Sequence, residues 1–246
     1  MVRAYRADLH IHTCLSPCGS LDMSPRAIVR EAKKKGLEII AICDHNSAEN
    51  VLPAQKMGER EGITVLAGME VTSQEEVHIL ALFDTAEGVN RLQEIVYEHL
   101  LPGENDEDTF GPQVVVNEED EVVGMNTRLL IGATELSINT LVDTALKLGS
   151  VVIASHVDRE SFSLLGHLGF IPDDVRLHAL EISPHTTREQ AKATFPQIIG
   201  YPLVTFSDAH SLEDIGKTST CFFLEEPTLR EIAMALRGEE GRGIVY

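Results

Sequence analysis

The sequence predicts an α/β fold in which short buried strands alternate with amphipathic helices, in about seven units arranged as a barrel. Two observations predict this fold. Short apolar runs are followed by stretches of helical periodicity along most of the 246 residues, a pattern typical of parallel strands with right-handed crossovers. Polar residues capable of chemistry follow nearly every apolar run, as they do at the functional end of such barrels.

The first third of the chain contains the clearest units. Residues 5–11 form the first predicted strand. A helix is predicted from Pro25 to Lys35, because Ser24 is a good N-cap, proline suits the first helical position and Gly36 stops the helix. The next predicted elements are a strand at 38–43, a helix at 48–61 and strands at 63–67 and 76–83.

Residues 84–150 are less regular, and we expect them to form an acidic excursion or insert within a single domain that covers residues 1–246. From Glu94 to Glu121 there are ten acidic residues and no lysine or arginine, which is typical of a solvated surface segment. The predicted elements here are a helix at 88–100, a loop at 102–112, a hairpin of 113–117 with 121–125, and a helix from Ser137 to about Leu148. A long insert at a barrel mouth is expected to supply substrate selectivity.

After residue 150 the alternation of strands and helices resumes. The predicted strands are 151–155, 178–183, 201–206 and 219–224, followed by a helix from Pro227 to Arg237.

Composition and charge restrict the class of protein. No apolar run reaches the roughly 18 residues of a membrane span, the N-terminus shows no signal-peptide core, and the four cysteines do not suggest a disulfide framework. A cytoplasmic location without membrane contact is therefore expected. The formal net charge of −19 disfavours binding to long nucleic acid, which needs a basic surface.

The segment Asp8-Leu9-His10-Ile11-His12 ends the first apolar run. Because side chains alternate along a strand, His10 and His12 point to the same side and place two imidazoles together, as a divalent metal requires. Alone this motif is weak, since one histidine could be an ordinary hydrogen-bonded strand residue.

Other strand ends carry the same kinds of side chain, which makes chance a poor explanation. Only His78 departs from the pattern, because it precedes its strand. The eight potential metal ligands are His10, His12, His45, Glu70, His78, His156, Asp208 and His210. Mixed imidazole and carboxylate donors suit zinc, manganese or iron, and eight donors are too many for one ion, so two or three divalent ions are expected.

These segments resemble the motifs of the PHP (polymerase and histidinol phosphatase) family of metallohydrolases over most of the chain. The matching motifs are Asp8–Thr13, Ala41–Asn46, Gly68–Val71 with Val77–Leu80, Ser155-His156 and Ser207–His210. The resemblance implies a distorted (β/α)7 TIM-like barrel with a metal site at its C-terminal mouth. It also implies a metal-dependent phosphoesterase, closest to the small nucleotide-phosphatase and oligonucleotide-hydrolase branch.

The resemblance also implies three metal positions. His10, His12, Glu70 and Asp208 would hold the first metal, and Glu70 would bridge to a second metal held also by His78 and His156. His45 and His210 would serve a third. Relatives usually supply another ligand to the third metal shortly after the first motif, where this chain has Ser16-Pro17-Cys18-Gly19. Cys18 is therefore either a substitute thiolate ligand or a simple turn residue.

The expected reaction is attack of a metal-bridged hydroxide on phosphorus. His45, Glu70, His210 and Arg159 are the residues expected to take part in catalysis. Glu70 would do so as the bridge, and His45 or His210 would assist the leaving oxygen. Arg159 would hold the remaining phosphate charge, and Lys217 and Arg188 are weaker candidates for that role. His185 is a possible mouth residue without a metal role.

The expected substrate is a small phosphate ester, such as a nucleotide, a nucleoside bisphosphate or a short oligonucleotide, with phosphate as product. Partner proteins are not predicted. The alternatives are a histidinol-phosphate phosphatase and a metallohydrolase of C–N or ester bonds. An Arg159 side chain turned away from the metals would favour the C–N or ester hydrolase.

Overall fold

The computed structural model of the protein describes residues 1–245. The strands are β1 (Arg3–Ile11), β2 (Ile39–Ile42), β3 (Thr64–Thr72), β4 (His78–Phe83), β5 (Val114–Val116), β6 (Val122–Met125), β7 (Val151–Ala154), β8 (Ala179–Glu181), β9 (Leu203–Val204), β10 (Thr220–Leu224) and β11 (Gly243–Val245). The helices are α1 (Pro25–Lys34), α2 (Val51–Glu61), α3 (Ala86–His99), α4 (Glu107–Phe110), α5 (Ile138–Lys147), α6 (Leu164–Leu168), α7 (Arg188–Thr194) and α8 (Leu229–Arg237), with a 3₁₀ turn at Pro196–Ile198.

Local sequence signals account for most of these elements. The Ser24 side chain accepts a hydrogen bond from the Ala27 amide at the start of α1, and Ser137 caps α5 in the same way. The predicted cap at Ser24 and the predicted helix start at Ser137 are confirmed, as is the predicted hairpin, which forms the antiparallel pair β5–β6. The short helices α4, α6 and α7 have too few residues to show a clear helical period, and they were not predicted.

The main sheet curls into the predicted distorted barrel. Within residues 1–245 it has nine strands in the order β11-β10-β1-β2-β3-β4-β7-β8-β9. The chain just after β9 returns to the end of β1, where the His12 amide donates to the Ala209 carbonyl at 3.0 Å and Ile11 forms a parallel bridge with Ala209. Seven strands thus close the barrel, and β10 and β11 extend it from the start of β1.

The expectation of parallel neighbours throughout is wrong at β10, which runs antiparallel to β1, and at β4. This strand runs antiparallel to both β3 and β7, because residues 73–77 are too few for the crossover that parallel strands need. His78 begins β4 opposite Thr72 at the end of β3. The reversed strand therefore brings His78 to the same end of the barrel as the other strand-end residues, which explains why it precedes its strand.

Apolar side chains fill the interior of the barrel, and a second apolar layer packs between the barrel and the surrounding helices. Ile39 and Ala41 point into the barrel interior, whereas Ile40 and Ile42 pack against the surrounding helices, as the period of two requires. α8 adds Leu229 and Ile232 to the interior cluster and contacts Asp84 at the end of β4, so it covers the end opposite His78. No helix within residues 1–245 is long and apolar enough to cross a membrane.

The acidic turn of the insert is less solvated than expected, because it contacts α1 and α2. Glu118 lies 2.9 Å from Lys56, Glu119 lies 3.3 Å from Arg60, and Asp120 accepts a hydrogen bond from the Ser24 hydroxyl at 2.8 Å. This part of the strongly acidic insert is therefore neutralised locally by basic side chains of the helices.

Gly68 lies where strands β2 and β3 pack too closely for a side chain. A Cβ atom at this position would be 2.5 Å from the Cys43 Sγ and 2.8 Å from the Ile42 carbonyl oxygen. We expect Gly68→Ala to lower the free energy of unfolding by about 1–3 kcal/mol, with about 2–4 °C lost from the Tm for each kcal/mol. Gly243→Ala is the control, because a Cβ there meets nothing within 4 Å. Equal melting temperatures for the two variants in calorimetry would contradict the prediction.

Candidate metal centre

The carboxylate of Glu70 is the centre of the site. Glu70 lies near the end of β3 with 1% of its surface exposed. Its oxygens lie 3.2–3.4 Å from imidazole nitrogens of five histidines: His10, His12, His45, His78 and His156. Glu70 and the five histidines come from five separate places in the chain, since His10 and His12 share one strand. Only the closed barrel brings them together.

Asp208 and His210 complete the group from the segment that closes the barrel. The Asp208 Oδ1 lies 3.1 Å from the His12 Nε2 and 3.3 Å from the His10 Nε2. The His210 ring stacks on His12 with 4.3 Å between centroids, and its Nδ1 donates to the Asp208 carbonyl. The structure therefore places all eight sequence-predicted residues in one group.

Three sets of donor atoms within this group are close enough to share a metal ion. In each set the ligand atoms lie within 4.8 Å of one another, and the sets are His10, His12, Glu70 and Asp208; His45, Glu70 and His78; and His12, His45 and His210. The first set contains the same four residues that were expected to hold the first metal. The second set contains His45 where His156 was expected, and His156 belongs to none of the sets. His12 joins His45 and His210 in the third set. Cys18 belongs to none of the sets and has an exposed side chain.

Unpaired buried atoms show that the residues fit a group of metal ions. Among residues 1–245, the Nδ1 atoms of His45, His78 and His156 and the Oε1 of Glu70 are buried without a hydrogen-bond partner. Buried polar atoms almost always have partners. His45, His78 and Glu70 form one of the donor sets, and their unpaired atoms are of the kinds that bind divalent transition metals. The arrangement is that of a polynuclear metal site.

Electrostatics prepare several of these groups to bind cations. Burial alone would raise the pKa of Glu70, but His78 and His10 outweigh it and hold that pKa well below its usual value. Burial lowers the pKa of His12 to about 4 and that of His45 well below its usual value, so both are neutral as ligands must be. For His10, three carboxylates led by Glu181 outweigh burial and raise the pKa, so metal binding there would release a proton.

Backbone strain is concentrated around the cluster. Asn46, His156 and Asp208 have φ angles of 50°, 28° and 50°, in the left-handed region that costs non-glycine residues roughly 1–2 kcal/mol each. Such residues persist where their surroundings hold them, and they collect at functional sites. Asn46 is held by its side-chain amide, which donates to the carbonyls of Leu130 and Gly132 in the insert, both at 2.8 Å.

Two buried carboxylates that the sequence prediction did not include orient the histidines. Glu181, at the end of β8, lies 3.0 Å from the His10 Nδ1. The His12 Nδ1 lies 2.9 Å from the Ser16 hydroxyl, which donates to Asp44 at 2.7 Å. Both contacts fix the ring tautomer so that Nε2 faces the cluster. Glu181 ends an apolar run, so the strand-end pattern that identified the other residues also applies to it.

We expect Glu181→Gln to weaken metal binding about 10- to 100-fold, because the carboxylate orients His10 and increases its basicity. Competition with a chromophoric chelator measures the affinity directly. The exposed Glu59→Gln is the matched control and should bind metal as the wild type does. An unchanged affinity in Glu181→Gln would contradict this role.

A cavity of about 420 Å³ opens beside the cluster. Arg159 lies on its wall with its Nη2 2.7 Å from the Asp208 Oδ2, so the predicted phosphate-binding cation faces the cluster. The lining residues are His45, Glu70, His78, Ile131, His156, Arg159, Glu160, Ser161, Phe162, Asp208 and His210. Lys217 and His185 line a neighbouring cavity that shares Arg159 and Asp208, whereas Arg188 lines a third cavity that includes neither.

Comparisons with known proteins agree with this geometry. A PHP domain model matches residues 8–171. An uncharacterized protein of Methanocaldococcus jannaschii is 37% identical over 86 residues, covering 32% of this chain and 50% of that protein. The phosphoribosyl 1,2-cyclic phosphate 1,2-diphosphodiesterase of Eggerthella lenta is 32% identical over 80 residues, covering 30% of this chain and 29% of the enzyme.

The fold also matches a solved structure over nearly the whole chain. The lesion-specific endonuclease Q of Pyrococcus furiosus superposes with a TM-score of 0.71 at 21% identity, covering 98% of this chain and 58% of the endonuclease. Endonuclease Q has also been solved with a 27-mer duplex that carries an abasic lesion. The chain thus spans about half the length of the Methanocaldococcus protein and less than two thirds of the endonuclease.

Proposed function

The chain belongs to the PHP domain family of metal-dependent phosphoesterases, and we propose that it hydrolyses a small phosphate ester, namely a nucleotide, a nucleoside bisphosphate or a short oligonucleotide. The observation that carries this proposal is Arg159, which lies on the cavity wall 2.7 Å from Asp208 and so beside the cluster. The planar guanidinium group of an arginine at this place can donate hydrogen bonds to two phosphate oxygens at once. Hydrolysis of a C–N bond does not need such a cation.

Some side chains of the site bind metal and others bind the substrate. We assign His10, His12, Glu70 and Asp208 to one metal, Glu70 with His78 and His156 to a second, and His45 with His210 to a third. When bound, zinc, manganese or iron would activate water and polarise the phosphoryl oxygens. Arg159 neutralises the remaining phosphate charge. Cys18 is left as a turn residue, because it belongs to no donor set and has an exposed side chain. His156 keeps a metal role because its Nε2 lies 3.3 Å from the Glu70 carboxylate.

His210 is the best-placed group to assist the leaving oxygen. Its side chain is 30% exposed, against 5% for His45, and it lines the cavity. Because its Nδ1 donates to the Asp208 carbonyl at 2.8 Å, the Nε2 atom is the one left to bind metal or to hold a proton for the leaving group.

Size and charge support a small substrate. The cavity of about 420 Å³ is within the range of small-molecule sites, and the net charge of −19 opposes binding along a DNA duplex. The Eggerthella relative, by its name, acts on a cyclic phosphodiester of a ribose, which is consistent with a nucleotide-like ester here. Four free thiols are consistent with a reducing compartment such as the cytoplasm.

The test is metal analysis of protein purified without chelator, followed by a hydrolysis panel with the metal found. The panel contains nucleoside monophosphates and bisphosphates, short oligonucleotides, an abasic duplex, histidinol phosphate, an amide and a carboxylic ester. We expect two or three metal ions per chain and the highest kcat/KM on a nucleotide or short oligonucleotide. Preferred turnover of the amide, the carboxylic ester or histidinol phosphate would overturn the proposal.

A further inference from the structure

The segment of residues 157–167, which follows β7 and includes the start of α6, forms a rim beside the cavity. The Asp158 carboxylate accepts hydrogen bonds from the amide and the hydroxyl of Ser183, both at 2.6 Å. Gly166 packs so closely that a Cβ atom there would lie 2.5 Å from the Glu160 carbonyl oxygen. The loop is therefore fixed at both ends, and the side chains that it presents to the cavity are pre-positioned.

Phe162 is the unusual residue of this rim. Its φ angle is 55°, which is unfavourable for a bulky side chain. Two hydrogen bonds hold this backbone, because its carbonyl accepts from the His78 amide and its amide donates to the His167 Nε2, both at 3.0 Å. The ring packs parallel to His78, with 4.8 Å between centroids, yet Phe162 is 40% exposed. A strained backbone that keeps an aromatic ring at the edge of a site points to a function.

An aliphatic side chain from the insert lines the same cavity. Ile131 is one of the cavity residues outside the cluster, and it is fixed because Asn46 binds the carbonyls on either side of it, at Leu130 and Gly132. The other wall residues outside the cluster are Arg159, Glu160 and Ser161. The cavity wall thus combines a cation that can bind phosphate with the two apolar side chains of Phe162 and Ile131. The Glu160 carboxylate and the Ser161 hydroxyl can form hydrogen bonds with polar groups of a substrate.

From this combination we propose that Phe162, with Ile131, binds the nucleobase of the substrate, so that the preferred ester is one with an accessible base and not a sugar phosphate. This inference rests on the proposed phosphoesterase function and adds a specificity-determining residue to it. A planar base has an apolar face for an aromatic ring and polar edges for Glu160 and Ser161. Ribose 5-phosphate carries the phosphate but offers nothing for Phe162 to contact.

The test compares Phe162 variants on two substrates, a nucleoside 5′-monophosphate and ribose 5-phosphate. We expect Phe162→Ala to raise KM for the nucleotide about 5- to 150-fold, the range typical of losing one base–aromatic contact. Its kcat/KM for ribose 5-phosphate should stay within about twofold of the wild type. Phe162→Tyr keeps an aromatic ring and should retain the nucleotide KM, whereas Phe162→Leu should be intermediate.

Equal losses on both substrates, with loss of bound metal, would overturn the inference and leave Phe162 as a support for His78. Unchanged nucleotide kinetics would also overturn it. Saturation-transfer NMR with adenosine gives a readout that needs no hydrolysis, and adenosine binding that persists in Phe162→Ala would contradict the inference. If the metal-loaded wild type hydrolyses no phosphate ester, the proposed function fails, and the adenosine experiment still decides whether Phe162 binds a base.

Discussion

Glu70→Gln is expected to abolish metal binding at the two donor sets that contain Glu70. It should also lower kcat/KM by a factor on the order of 10³ or more, because metal ions supply several kcal/mol of transition-state stabilisation and each 1.36 kcal/mol is tenfold in rate. Glu70 contacts five imidazoles at 3.2–3.4 Å, and the two donor sets that include it lose their bridging carboxylate. Glutamine has nearly the same shape but no charge. Elemental analysis gives the metal content, and steady-state hydrolysis gives the rate.

The exposed Glu59→Gln, on α2, is the control for Glu70→Gln and should keep full metal content and activity. His12→Ala and Asp208→Ala should lose both properties as Glu70→Gln does. Phosphatase activity like that of the wild type in any of the three site variants would show that the cluster is not the catalytic centre. Thermal unfolding of each protein separates this result from a loss of folding.

Arg159→Met is expected to lower kcat/KM for a phosphate ester about 10- to 150-fold, which corresponds to losing a charged hydrogen bond of about 1.5–3 kcal/mol. Arg159→Lys should recover only part of this loss, because an ammonium group lacks the planar fork that pairs with two phosphate oxygens. Since Arg159 is not among the candidate metal ligands, metal content should stay close to that of the wild type.

Arg91→Met is the matched control for Arg159, because Arg91 lies on α3 in an exposed pair with Glu87, away from the cavity. It should leave hydrolysis unchanged. If Arg159→Met hydrolyses the best phosphate ester as fast as the control does, the arginine has no role in holding phosphate. Faster turnover of an uncharged carboxylic ester by the variant would then favour the alternative hydrolase class.

The strand-end pattern in the sequence predicted the eight cluster residues, because buried strands and the polar residues after them are local features. It included His78 without explaining why that residue precedes its strand. The explanation is the reversal of β4, which the five-residue connection 73–77 already implies, since so short a link joins antiparallel strands. Glu181 ends β8 in the structure, but it was missed because the predicted strand 178–183 runs past it and places it inside a strand.

Other features depend on contacts between distant parts of the chain and have no local signal. Phe162 reaches the cavity through a left-handed backbone that the His78 amide and His167 stabilise. The acidic turn at Asp120 looked like a free surface loop, but α1 and α2 provide its partners. Both follow from tertiary packing, which composition and periodicity do not describe.

The hydrogen bond between the His12 amide and the Ala209 carbonyl ties metal binding to the folding of the entire span between them. The donor set His10, His12, Glu70 and Asp208 forms only when the last barrel segment meets the first strand, a contact of very high sequence separation that is slow to form. Metal ions therefore stabilise the folded chain as a whole. They bind a site that exists only in the folded chain, and this binding shifts the folding equilibrium towards the folded state. A fragment that stops at residue 171 would lack Asp208 and His210, together with the segment that closes the barrel.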